Sequence, residues 1–436
     1  MMFRNPSHRV IFGIWLGWAV IMLGYQGLIQ VRFGVVKPDE ALIWTPSETM
    51  PNSQNDNLYL MEPLLNTQVS WDSEYYLAIA SGGYEDPAIQ RINVGGTPVS
   101  SGGGFWPFVI REYSEQAGIP LSYAFFPFYP LVTRLVALPL SLLGLNPIAT
   151  ATLAGVIVSM GGTLAGMLAL YELAHAELQE AGGIRAVFYL LIFPSGFFLA
   201  QIYTEGLFIG LAFSSLVLLR RGRRGWAAIL AILATFTRAV GVALIIPLFI
   251  SWLKEGEWMD LDMEWRQLYY KGLPWKIIWN GLIALSPILF FVLWRVSYYG
   301  MAFGLVEDNY FGRGLLRLGN TFIAWSESFE ALFGPNPQAA AYYGVEFLAI
   351  FLGLIACFVG LRRHPDVAWF GLAVVLLSLT SGPAQGMHRY VLAAPPVFLF
   401  LSRLGRNSAF DRVWTVASIL IMGMMATMFS FDMWAG

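Results

Sequence analysis

The chain has 436 residues, 57% hydrophobic and only 12% charged, with mean hydropathy +0.59. A soluble domain carries about 25% charged residues, so this composition points to a polytopic membrane protein. The net charge of −2 supplies no basic face for nucleic acid, and the lone Cys357 excludes an internal disulfide or a thiolate metal site.

At the N-terminus, Arg4, His8 and Arg9 precede 22 apolar residues at 10–31. That is long enough to span a bilayer, which needs about 20. No small-residue cleavage site follows, so the pattern predicts an uncleaved first span rather than a signal peptide. Residues 32–126 form a long outer loop with eleven acidic residues against four basic ones. Within it lies Trp71-Asp72-Ser73-Glu74-Tyr75-Tyr76, a carboxylate flanked by aromatics. Asp72 is a candidate catalytic carboxylate or a helix N-cap. Gly95-Gly96 and Ser100-Ser101-Gly102-Gly103-Gly104 predict tight turns or a flexible stretch.

From Leu135 to Tyr171 the chain is uncharged for 37 residues, too long for one span, and Pro139 and Pro147 interrupt it. The expectation is an in-plane or re-entrant helix at about 129–143, followed by a true span. Further spans are expected near 148–172, 186–203, 205–219, 225–238, 240–253, 277–296, 344–361, 366–382, 389–402 and 413–431. With the first, they give about 11 crossings in a single membrane domain covering 1–436. One threading puts Arg220, Arg221, Arg223 and Arg224, Arg362-Arg363-His364, and Arg403, Arg406 and Arg412 on the N-terminal, cytoplasmic side. Segment 254–276 carries Trp258, Trp265, Tyr269, Tyr270 and Trp275 among charges, as an interfacial cytoplasmic helix would. No internal repeat of the kind many transporters carry is visible.

The same threading leaves few ionisable residues in or near the outer half of the membrane: Asp72, Glu74, Arg134, Glu205, Arg238, Glu307, Asp308, Arg313, His388 and Arg389. Such groups are expensive there and are functional candidates. Arg238 interrupts a long uncharged stretch, and either pairs with Glu205 or binds an anionic head group. His388-Arg389-Tyr390 follows Ser381-Gly382-Pro383, a combination suited to a phosphate. The four histidines are scattered, and no metal cluster, phosphate-binding loop or nucleophile elbow is present.

In order, the segments 71–80 with Gly83-Tyr84, Phe125-Phe126-Pro127-Phe128-Tyr129-Pro130-Leu131, Phe193-Pro194-Ser195-Gly196-Phe197-Phe198 through Tyr203-Thr204-Glu205, Thr237-Arg238-Ala239-Val240-Gly241, Tyr299-Gly300 through Phe303, and His388-Arg389-Tyr390 resemble one family. That family is the PIG-V type mannosyltransferases, which add the second mannose in GPI-anchor assembly, with their bacterial relatives. The family reads closer to Arg-Ser-Asn-Gly where this chain has Arg238-Ala239-Val240-Gly241, and the glycine-rich insert at 95–104 is a further departure.

The resemblance implies an all-α membrane glycosyltransferase of the C-type fold. Its donor would be polyprenyl-phosphate mannose, its acceptor a lipid, glycan or protein hydroxyl. It implies Asp72 as the base of an inverting transfer, without a metal or other cofactor. Trp71, Glu74, Tyr75, Tyr203, Glu205, Arg238, His388, Arg389 and Tyr390 are the expected substrate-binding residues. The site would face away from the cytoplasm, across a bacterial cell membrane or, in a eukaryote, that of the endoplasmic reticulum. A lipid-linked glycan flippase, or a C-type transferase for another sugar, are the rival readings.

Overall fold

The computed structural model describes residues 5–34, 60, 62–93, 118–255 and 275–435. The glycine-rich stretch at 95–104 and nearly all of the segment 254–276 lie outside the described residues. What is described is helical apart from a two-residue pairing of Arg91–Ile92 with Ile119–Pro120. Five helices are long and apolar enough to cross a membrane: Pro6–Phe33, Pro147–Leu191, Ile277–Arg295, Pro337–Leu361 and Ser408–Ser430. Pro147–Leu191 is two helices joined at Gln179, whose φ of 60° breaks the helical path. A helix runs from Phe128 to Leu140, where an in-plane or re-entrant one was expected, with Tyr129, Pro130 and Thr133 buried and Leu131, Leu135 and Leu138 exposed.

Several of the other expected crossings fall on shorter helices, and the reason bears on the site. The chain rises, turns and descends three times. It does so around residues 192–203 before Thr204–Arg220, around 236–244 between Arg224–Thr235 and Ile245–Glu255, and around 380–394 between Pro365–Leu379 and Pro395–Leu404. Each turn is irregular or short 3-10 structure, the third also holding the single α-helical turn Met387–Tyr390. Irregular backbone of this kind is tolerated within a membrane protein only where protein or a cavity covers it.

The bases of the first and third hairpins are tied by ion pairs. Arg220 meets Asp366 at 2.8 Å, while Glu177 holds Arg363 at 2.8 Å, His364 at 2.6 Å and Arg403 at 2.5 Å. The basic clusters read from the sequence therefore do gather at one end. Glu205 and Arg220 stand at opposite ends of one helix, roughly 22 Å apart at about 1.5 Å per residue. The three turns, at the far end, carry the expected site residues.

Close approach of two helices fixes this geometry. Gly162 and Gly166 on Pro147–Leu191 face Gly206 and Gly210 on Thr204–Arg220, and each pair is spaced by four. A Cβ on Gly162 would lie 2.5 Å from Leu207 Cα, and one on Gly210 2.5 Å from the Gly162 carbonyl oxygen. Such small-residue seams let backbones pack in a bilayer, where the hydrophobic effect does not drive helices together. Gly162→Val should cost about 1–3 kcal/mol by overpacking. The check is the thermal midpoint of purified protein in detergent; an unchanged midpoint would contradict the tight seam.

Candidate active site

The helix Asp72–Ser81 is not a surface element. Every residue from Ser73 to Ala80 is buried, and the segment before it is pinned to the bundle. Ser70 Oγ donates to the Phe429 carbonyl at 2.7 Å, and the Tyr203 hydroxyl donates to the Ser70 carbonyl at 3.1 Å. Gln68 Nε2 reaches Gln26 Oε1 of the first span at 2.9 Å. Trp71 stands at the N-cap position, with φ 57° and ψ −123° and no side-chain capping bond. A bulky residue at positive φ costs of order 1–3 kcal/mol and persists only where its surroundings impose it. Here the indole stands edge-on to Trp434, ring centroids 5.0 Å apart. The strained turn leaves the Asp72 carboxylate free of capping duty.

That carboxylate faces a cavity of about 1870 Å³. Asp72 Oδ2 accepts from Arg389 Nη1 at 3.3 Å, and its side chain keeps 27% exposure. Arg389 also pairs with Glu205 Oε1 at 3.1 Å, and the same oxygen accepts from Arg238 Nη1. Glu205, 2% exposed, thus sits behind the wall and holds two arginines at once. Its own predicted pairing with Arg238 is present, extended by Arg389. The Tyr390 ring lies among three guanidiniums, with Cζ-to-centroid distances of 4.9 Å for Arg238, 5.6 Å for Arg389 and 5.9 Å for Arg313. Arg313 donates to the Tyr390 hydroxyl. Among the described residues Arg313 makes no carboxylate ion pair, so its charge is available to an anion. Of the expected substrate-binding residues, Trp71, Tyr75, Arg238, Arg389 and Tyr390 line the cavity.

With Glu205 behind the wall, four expected substrate contacts lie off it, the others being His388, Glu74 and Tyr203. His388 turns inward, its Nδ1 3.1 Å from Glu346 Oε1 and its Nε2 3.0 Å from the Ala435 carbonyl oxygen. Being 1% exposed, it is not on the cavity wall, so the adjacent His-Arg pair is split by helical geometry. Glu74 is fully buried on the opposite side of its helix from the wall. Tyr203 is also buried off the wall, where its ring backs the Arg389 guanidinium at 5.2 Å. Adjacent residues on a helix point about 100° apart, so consecutive polar letters cannot all face one ligand.

Other residues of the wall lacked an expected role. Glu307 begins a π-helical turn, Glu307–Phe311, a feature that often marks functional positions. Burial pushes its carboxyl up to about 7, with Asp72 adding to the effect and Arg313 and Arg295 opposing it. Arg295 donates to the Gly300 carbonyl and also lines the cavity. Glu307 and Arg313 were visible as scarce ionisable residues; Trp434 carried no sequence signal. Beyond the polar corner the cavity is apolar, lined by Ile288, Phe291, Val292 and Leu315 among others. Val292 and Leu315 are more than half exposed, so the cavity opens between apolar side chains.

No protein-family model matches the chain. It is 27% identical over 243 residues to GPI alpha-1,6-mannosyltransferase 2 of Mus musculus, covering 55% of this chain and 41% of that protein. The Rattus norvegicus counterpart is 28% identical over 244 residues, with the same coverage. The chain is a sequence relative of GPI alpha-1,6-mannosyltransferase 2. The match spans less than half the length of these curated relatives. Among solved structures, the apo Archaeoglobus fulgidus oligosaccharyltransferase overlaps 97% of this chain and 56% of its own, at 13% identity and TM-score 0.44. ArnT from Cupriavidus metallidurans, bound to undecaprenyl phosphate, overlaps 93% of this chain and 79% of its own, at 13% identity and TM-score 0.31.

Proposed function

We propose that the chain is an integral membrane glycosyltransferase that moves mannose from polyprenyl-phosphate mannose to an acceptor hydroxyl, inverting the anomeric carbon. The observation that carries this reading is Asp72 on the wall of a large cavity, tied to Arg389 and facing a corner where Arg238, Arg313 and Arg389 surround Tyr390. The curated relatives, named as mannosyltransferases, support the choice of sugar.

In this mechanism Asp72 takes the proton of the acceptor hydroxyl as its oxygen attacks the anomeric carbon. The bond from that carbon to the phosphate oxygen breaks, and its electron pair leaves with the phosphate. Phosphate is a good leaving group, so one carboxylate suffices where glycoside hydrolases employ two. Arg313, with no carboxylate ion pair among the described residues, is the group best suited to the charge growing on the phosphate, with Arg389 and Arg238 behind it. The apolar mouth of the cavity suits a lipid chain. Arginines concentrate at the opposite end of the bundle, which by the positive-inside rule supports a site on the non-cytoplasmic face.

The test is transfer by purified protein in detergent from polyprenyl-phosphate mannose, with other polyprenyl-phosphate sugars as competitors. Absence of any transfer would favour a flippase, and preference for a different sugar would correct the donor. Arg313→Gln should lower affinity for a polyprenyl monophosphate by about 10- to 100-fold, the range of one charge-assisted hydrogen bond. Unchanged binding would remove Arg313 from the phosphate site.

A further inference from the structure

Glu346 is the only charged residue in the 25-residue helix Pro337–Leu361 and is 0% exposed, yet it does not line the cavity. A buried carboxylate in a membrane helix is costly unless its oxygens are fully engaged. They are engaged, by a single turn of chain. The Gly386 N–H donates to Oε1 at 2.7 Å, the Met387 N–H to Oε2 at 2.7 Å and the His388 N–H to Oε2 at 3.3 Å, while His388 Nδ1 stands 3.1 Å from Oε1. Gly386, with φ 79°, supplies the left-handed residue that aims these amides at one point. The next residue is Arg389, which reaches Asp72.

A second arm leaves the same helix. His388 Nε2 meets the Ala435 carbonyl oxygen at 3.0 Å, and Trp434 Nε1 donates to the hydroxyl of Tyr342, one turn before Glu346, at 3.0 Å. Trp434 is the residue that packs against the strained Trp71. The guanidinium that reaches the Asp72 carboxylate and the indole packed on Trp71 are therefore both referred to the helix turn that holds this one buried acid.

We infer that Glu346 is a positioning residue: through the 386–388 turn and the Tyr342–Trp434 contact it sets the placement of Arg389 and Trp71 around Asp72. Its kinetic consequence rests on the transferase reading above; its structural consequence does not. Glutamine at this position keeps the shape but offers an NH₂ group to backbone N–H donors, so a donor meets a donor. Aspartate keeps both acceptor oxygens on a shorter stem.

The experiment compares Glu346→Gln, Glu346→Asp and His388→Leu in detergent, by hydrogen exchange of the 386–389 and 434–435 amides and by transfer kinetics. Enzyme concentration is normalised to lipid-phosphate binding stoichiometry. Glu346→Gln should speed exchange in the 386–389 segment while the other helices stay protected. It should lower kcat about 100-fold with little change in donor KM, because an ångström-scale displacement of catalytic groups costs that much. Glu346→Asp should recover part of the rate. If Glu346→Gln does not fold, His388→Leu, which leaves the backbone bonds to Glu346 in place, carries the test through exchange at 434–435 and kcat. Unchanged exchange and kcat overturn the inference. If the wild-type protein transfers nothing, the mannosyltransferase reading fails, and exchange alone decides the role of Glu346.

Discussion

Replacing Asp72 by Asn should reduce sugar transfer by about 10²–10⁴-fold, the contribution typical of a positioned general base. The protein should still be made and should still bind polyprenyl monophosphate. Asn matches Asp in shape and still offers an oxygen to Arg389 Nη1, now 3.3 Å away, and Glu205 continues to neutralise that guanidinium. The loss should therefore lie in the chemical step rather than in folding. The measurement is single-turnover transfer with saturating donor, beside a binding assay. Near-wild-type transfer by this variant would remove Asp72 as the base and turn attention to Glu307, the other cavity carboxyl close to it. The pH profile would separate the two, since Glu307 is held up to about 7 by burial.

Glu205→Ala should have the largest effect on stability. One buried carboxylate oxygen serves both Arg238 and Arg389, and each guanidinium is 10% exposed. Taking the acid away leaves charge without its counter-ion in a low-dielectric wall, a loss of about 3–5 kcal/mol for a buried pair broken on one side. The thermal midpoint should fall and transfer should fail with it. Adding Arg238→Met should restore part of the midpoint, since Arg389 retains Asp72 and no orphaned cation remains at 238; contacting charges are not additive. A midpoint unmoved by Glu205→Ala would mean that the two arginines are held by something else.

How much of this could be read without coordinates varies with the physics involved. Scarce charges in apolar stretches announce themselves, because each is expensive in a bilayer. Asp72, Glu205, Arg238, Arg313 and Arg389 were all visible on that ground, and pairing with Glu205 was one of the two readings open for Arg238. Glu346 carried the same signal, as the one charge of the expected span 344–361 and at its outer end, but no local pattern linked it to the turn at 386–388. His388 was assigned to substrate for its chemistry beside a glycine turn, and Glu74 and Tyr203 through the family resemblance. The 100° step between helical residues turned His388 and Glu74 into the protein and left Tyr203 as backing for Arg389. Trp434 stands 363 positions from Trp71, and no local pattern links them. The aromatic segment around Asp72 was expected in a solvated loop; it is sunk into the bundle by contacts with Gln26, Tyr203 and Phe429, all distant along the chain.

By itself the sequence determined that the chain is helical, apolar and multi-pass, that its arginines collect at one end, and that its scarce far-side charges are the residues to watch. These follow from hydropathy and from the cost of burying charge, both local properties of a segment. The tertiary structure decided which charges meet. Three interrupted hairpins bring Glu205, Arg238 and Arg389 to one point, and Glu346 holds the turn that aims Arg389 at Asp72. Convergence of this kind depends on helix packing and side-chain direction, set by glycine seams and turns whose partners lie far apart in the chain.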